Sequence, residues 1–152
     1  RFSEDWIIMD VRLHRPDDES LAYAFLRVTL GLNIFMHGVS RILAGVGNFA
    51  SGMIKLFQNT ALPRAVVEPF GYALPWLEAA IGLLIIVGLR TREALVAGAL
   101  LMLALTFGTT VRQDWDVAGI QLLYSVVYAA LIAGLRYNSL SVDQKFAAPN
   151  RG

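Results

Sequence analysis

The chain has 152 residues, of which 56% are hydrophobic and 16% charged, with a net charge of +1. Soluble domains usually carry about 25% charge, so a water-soluble bundle is a poor reading and no nucleic-acid partner is expected. Cysteine is absent, which excludes disulfides, thiolate nucleophiles and iron–sulfur ligation by this chain.

Residues 1–20 read as an N-terminal arm. Trp6, Ile7, Ile8, Met9 and Val11 give it enough apolar surface to dock on the membrane or on another subunit, whereas a disordered tail is usually more polar. His14 reads as a solvated tail residue. Asp17, Asp18, Glu19 and Ser20 mark a helix start, because acidic side chains suit the partly positive first turn. Asp17 or Ser20 is the expected N-cap.

Four apolar stretches follow, at 21–43, 72–89, 94–111 and 117–135. A membrane-spanning helix needs roughly 17–25 mostly apolar residues, so the sequence predicts an all-α, integral-membrane four-helix bundle occupying residues 21–135. The first span follows a polar arm and does not read as a removable signal peptide. Between spans one and two lies a long connection, residues 44–71. It predicts a short amphipathic helix, capped by Asn48 and running through Phe57, at the outer membrane interface. Pro63 and Pro69 then re-aim the chain into span two. Tight turns at 88–93 and 112–116 make spans two, three and four antiparallel neighbours. Residues 136–152 read as a polar tail.

Positive charge is unevenly placed. Arg1, Arg12, Arg15, Arg90, Arg92, Arg136, Lys145 and Arg151 lie on one side, against Arg41, Lys55, Arg64 and Arg112 on the other. Positive residues favour the cytoplasmic side, so both termini are expected there, in a bacterial or archaeal cytoplasmic membrane.

Several costly side chains interrupt the apolar spans. At about 1.5 Å per residue, His37 in span one and Glu78 in span two both fall roughly 9 Å from the outer end. A carboxylate at that depth is expensive unless paired. A His37–Glu78 hydrogen bond is the simplest resolution; Arg41 either pairs with Glu78 instead or snorkels to the interface. Asn33 is one turn from His37. Thr106 and Thr109 of span three and Gln121 of span four lie near the same level. Gln121, Tyr124, Ser125 and Tyr128 share one face of span four. The expected outer cluster is therefore His37, Glu78, Gln121, Thr109 and Asn33, with Thr106 beside it. Arg27 and Tyr128 match in depth as a second polar pair on the inner side, and Arg27, Tyr128 and Arg41 read as a structural polar network.

Such groups serve one of two purposes. They bond between helices, which stabilises by about 0.6 kcal/mol on average, with Gly31, Gly38, Gly82, Gly98 and Gly134 allowing close approach. Alternatively they line a pocket between spans one and two for a polar head group with an apolar tail. A quinone fits that description, as do another lipid or a small acid. With His37 the one histidine in a span, the chain alone cannot hold a bis-histidine haem. It shows no dinucleotide or Walker fingerprint and no metal site is expected, so no cofactor is expected on this chain alone beyond a possible quinone.

The stretches "AFLRVTLGLNIFMHGVSRI", "LPWLEAAIGLLIIVGLRTREA" and "NSLSVD" resemble, in order, helix one, helix two with its turn, and the tail motif of the DoxX/DoxD-like membrane family. Arg27, Gly31, Phe35, His37 and Gly38 match the first, with one residue fewer between Phe35 and His37 than the usual form and Arg41 where lysine is common. Glu78, Gly82, Gly88, Thr91 and Arg92 match the second. The resemblance implies four membrane helices, a shared polar set of Arg27, His37 and Glu78, and membership of a membrane oxidoreductase complex. DoxD-like relatives are linked to thiosulfate:quinone oxidoreductase, but without cysteine that sulfur chemistry does not carry over. The expected function is a small membrane subunit of a redox or energy-transducing complex, contacting lipids and other subunits and not acting as a stand-alone enzyme. The alternative is a purely structural accessory subunit.

Overall fold

The computed structural model describes residues 17–147. The greater part of the N-terminal arm, with His14, and the last five residues of the tail lie outside the described residues. The described residues are all-helical, as expected.

Helix α1 spans Asp18–Leu43. Asp17 caps it by accepting a bond from the Ser20 backbone N–H at 2.9 Å, with Asp18 and Glu19 in the first turn. This settles the two-way choice for the cap. At the far end Gly45 adopts φ 97°, a conformation that favours glycine. The chain turns there into α2, Val46–Phe57, at 101° to α1. Asn48 is not the cap of α2. It lies inside the first turn, and its amide donates back to the Ala44 carbonyl.

Helix α3 runs Arg64–Val87, eight residues earlier than the apolar pattern predicts. Pro69 lies inside it instead of delimiting it, and so does Pro75, which the apolar pattern already placed within the span. Each proline removes one intrahelical bond, and packing against α2 offsets the loss. Ala50 of α2, fully buried, sits against Gly71. The long connection is therefore mostly helix, and α2 packs on α3.

Gly88 ends α3 with φ 71°, and Leu84 O accepts from the backbone N–H groups of both Gly88 and Leu89. Helix α4 spans Thr91–Val111 and α5 spans Trp115–Ala133. Gln113 takes a positive φ in the turn between them, and Asp114 caps α5 through Val117 N. A 3-10 turn at Leu135–Tyr137 and a short helix α6, Val142–Ala147, follow.

Helix α1 packs along α3, α4 along α5, and α3 against α4, while α1 touches α5 more lightly. The α1–α3 crossing is closed by glycine. A Cβ on Gly31 would lie 2.8 Å from the Ile86 nitrogen, and one on Gly38 or Gly82 would strike the backbone of Ala79 or Phe35. Along this glycine-lined stretch the two backbones pack directly against each other.

Helices α3, α4 and α5 are each long and apolar enough to cross a membrane; α1 reaches that standard only taken together with α2. Their outer faces carry large apolar side chains. Leu103 is 66% exposed and Leu123 67%. In water such continuous surface would drive aggregation; in acyl chains it is the solvated face.

Candidate functional site

The polar residues singled out from the sequence separate into distinct sets. Glu78, 4% exposed, pairs with Arg41 of α1, the second of the two expected partners. The Glu78 hydrogen bond goes to the guanidinium and not to His37. Arg41 is therefore not simply a snorkelling residue. Its guanidinium also lies 4.7 Å from the centroid of Phe49 on α2. The reason is geometric: Arg41 is one turn beyond His37 and has the longer reach, and the 101° bend brings α2 over it.

Thr109 donates to the Gln121 side-chain oxygen at 2.7 Å, joining α4 to α5. Asn33 accepts from Tyr124 OH at 2.9 Å, joining α1 to α5. Thr106 bonds back to Met102 O and Ser125 to Gln121 O, so both are satisfied within their own helices. His37 is exposed on the outward side of α1, beside Asn33 and Ser40. Of the five proposed ligand residues, the structure thus brings together Thr109 with Gln121. It places Glu78 with Arg41, Asn33 with Tyr124, and His37 on the surface.

Thr109, Gln121 and Arg41 line a cavity of about 360 Å³. Helix α2 supplies one wall through Phe49, Met53 and Phe57, and α3 another through Val67, Phe70 and Leu74. Arg112 also reaches it, 5.5 Å over the Phe57 ring and bonded to Asp114 at 2.7 Å. Both arginines at this cavity are thus already matched by a carboxylate. The walls are apolar, and the uncommitted donors are N–H groups of Gln121 and of the guanidinia. This arrangement suits an uncharged molecule with a hydrogen-bond acceptor at one end. Met53, Phe57 and Arg112 were missed by sequence reasoning. The connection after span one reads as a cap over the bundle, and α2 does roof this cavity, but the pattern of residues 48–57 does not say which of its side chains line it.

At the opposite end Arg27 and Tyr128 do not pair. Arg27, 3% exposed, donates to the carbonyls of Ile85, Ile86 and Leu140. The first two are acceptors left open at the end of α3. Tyr128 fills the space above Gly98. The tail motif folds back onto the α3–α4 turn. Asp143 accepts from Arg90 N at 2.7 Å, Thr91 N at 2.8 Å and Thr91 Oγ1 at 2.7 Å, so it caps α4 from 52 residues away. Asn138 donates to the same Thr91 hydroxyl. Burial pushes the Asp143 carboxyl up, but the bonds from Thr91 and Arg90 and the charge of Arg27 outweigh it and hold it below the usual range. The expected polar exit is instead a latch.

These features define a helical integral membrane protein, apolar on its outer faces and with the buried Glu78 carboxylate paired to an arginine of a neighbouring helix. Residues 19–117 match the family described as methylamine utilisation protein MauE, and the chain belongs to that family. Neither a curated protein nor a solved structure matches it. The resemblance to DoxX/DoxD-like proteins correctly indicated a membrane protein family, but the family shown is MauE. Residues such as Arg27, Gly31, Gly82 and Glu78 serve helix packing and ion pairing here, which are demands that any close-packed membrane bundle makes.

Proposed function

We propose that the chain is an accessory membrane subunit of a redox system, in line with the amine utilisation in its family's name. In this reading the cavity beneath α2 holds the carbonyl-bearing head of a quinone or lipid. The observation that carries it is the cavity itself: about 360 Å³, within the range of about 300–1,000 Å³ typical of small-molecule sites. Its polar atoms come from Arg41, Thr109, Arg112 and Gln121. The donor set fits a neutral carbonyl and not an acid, because Glu78 and Asp114 already match the two guanidinia. Gln121 and the arginines would orient the head, and Met53, Leu56, Phe57 and Phe70 would exclude water around it.

In the same reading α1 crosses the membrane as a fourth span, completing a four-helix bundle, and α2 lies at the outer surface. The tail latch and the Arg90–Arg92 turn face the cytoplasm, as the excess of positive charge at that end favours.

The test is binding of a short-chain quinone to the purified protein in nanodiscs, with a carbonyl-bearing phospholipid as competitor. Binding lost in Gln121→Leu and in Ala104→Phe, which narrows the cavity, supports the pocket. Displacement by the phospholipid assigns it to lipid. Equal binding by both variants and the parent removes it.

A further inference from the structure

The outward side of α1 carries a stripe that neither the cavity nor the latch uses. Thr29, Leu32, Asn33, Met36, His37 and Ser40 form a shallow groove along it, and all six are exposed. Their spacing puts them on one helical face. If α1 crosses the membrane, as proposed above, Asn33 lies about 18 Å from residue 21, near the middle of a roughly 30 Å hydrocarbon core. Acyl chains offer an amide or an imidazole no hydrogen bond, so polar groups at that depth are found turned toward protein.

The stripe is only partly satisfied from within. Tyr124 OH occupies the Asn33 side-chain oxygen, which leaves the amide N–H groups facing outward. Ser40 donates to the His37 carbonyl and keeps its lone pairs. Among the described residues the His37 ring makes no hydrogen bond. None of the six is Asp, Glu, Lys or Arg, while Arg27 and Arg41 of the same helix turn inward to their own partners.

We propose that this stripe is the docking surface for a second copy of the chain, with the two α1 helices parallel across a two-fold axis along the membrane normal. Such an axis sets each residue opposite its own counterpart at equal depth. That geometry requires a face without net charge, and side chains that both donate and accept. Asparagine, histidine, serine and threonine are all of that kind. A face meant for an acidic or basic partner helix would carry the opposite charge, and this one carries none. Leu32 and Met36 fill the space between the polar pairs.

The absence of cysteine makes the test direct. Met36→Cys and Leu103→Cys, the latter exposed on α4, are each placed in the full chain, reconstituted in liposomes and mildly oxidised. Disulfide-linked dimer is expected for Met36→Cys and not for Leu103→Cys. Adding Asn33→Leu with His37→Leu should weaken dimerisation on the order of tenfold, since one interhelical bond accounts for about 3- to 18-fold. Equal cross-linking at both positions, none at Met36→Cys, or a Met36→Cys adduct with a different membrane protein overturns the proposal. A polar, membrane-impermeant thiol reagent separates this from the spanning of α1. A protected but unlinked Met36→Cys rejects the dimer alone, whereas a readily labelled one rejects both.

Discussion

Arg27 and Arg41 lie on the same helix, fourteen positions apart, and the two ends of the molecule treat them differently. At the tail end Arg27 is fully enclosed and bonds to three backbone carbonyls. It is 3% exposed, and two of its three partners are acceptors that α3 leaves open, the third being Leu140 O of the tail. At the other end Arg41 bonds to a carboxylate on α3, stacks on α2 and lines a cavity. One arginine closes a structure; the other borders a space that can be filled. A buried cation in a membrane helix is therefore not by itself a sign of a binding site. The open volume beside it is the more telling feature.

The largest stability effect is expected for Arg27→Leu. Hydrogen bonds to charged groups contribute about 1.5–3 kcal/mol each, so losing the set should cost at least about 3 kcal/mol, read as thermal or denaturant unfolding in detergent. Quinone affinity of the surviving folded fraction should be unchanged. A loss of affinity there would erase the distinction between the two ends.

Arg41→Leu comes next. It strands the Glu78 carboxylate, and breaking a buried pair costs about 3–5 kcal/mol; the lower figure applies because the Arg41 side chain keeps 27% exposure. Arg41→Leu with Glu78→Leu should recover most of that stability by double-mutant cycle, since replacing both charges is often neutral. Ligand affinity should stay reduced in the double variant.

Asp143→Asn is expected to cost about 1 kcal/mol, the usual scale for a lost helix cap. Its carboxyl is held below its ordinary value, so the contribution is present above about pH 3.9 and fades as pH falls through the lower folded value. Unfolding curves of parent and variant should therefore converge in acid. A gap that persists there would assign the effect to shape and not to charge.

Gln121→Leu should have the smallest effect on stability, within about 0.5 kcal/mol, because the single Thr109 hydroxyl hydrogen can turn instead to Leu105 O or Thr106 O within its own helix. Its consequence should appear in ligand affinity alone. Together with Arg27→Leu it gives opposite signatures at the two ends.

Much of the helical framework was legible in the residues. Apolar runs located α4 and α5 closely, Gly88 marked the end of α3, and Asp17 was one of two candidates for the first cap. The start of α3 was not legible, because Pro63 and Pro69 read as re-aiming the chain and Pro69 weighs against helix locally, and packing against α2 offsets it. Glu78 was recognisable as a carboxylate in need of a partner, but the choice between His37 and Arg41 depended on side-chain reach. The latch was the least visible part. Asp143 and Thr91 are 52 residues apart and Arg27 and Leu140 113 apart, and helical periodicity carries no information about pairings at that distance. A cap formed by the connection after span one was legible, but the lining of the cavity was not, since it is defined by where α2 comes to rest.

Whether that space is a binding site can be settled by titrating a short-chain quinone into the protein in nanodiscs and comparing the parent chain with Ala104→Phe and Arg27→Leu. Saturable binding that drops at least tenfold in Ala104→Phe, and persists in the folded fraction of Arg27→Leu, is the result expected if the space beneath α2 receives the head group. Identical affinities in the parent and Ala104→Phe would contradict it.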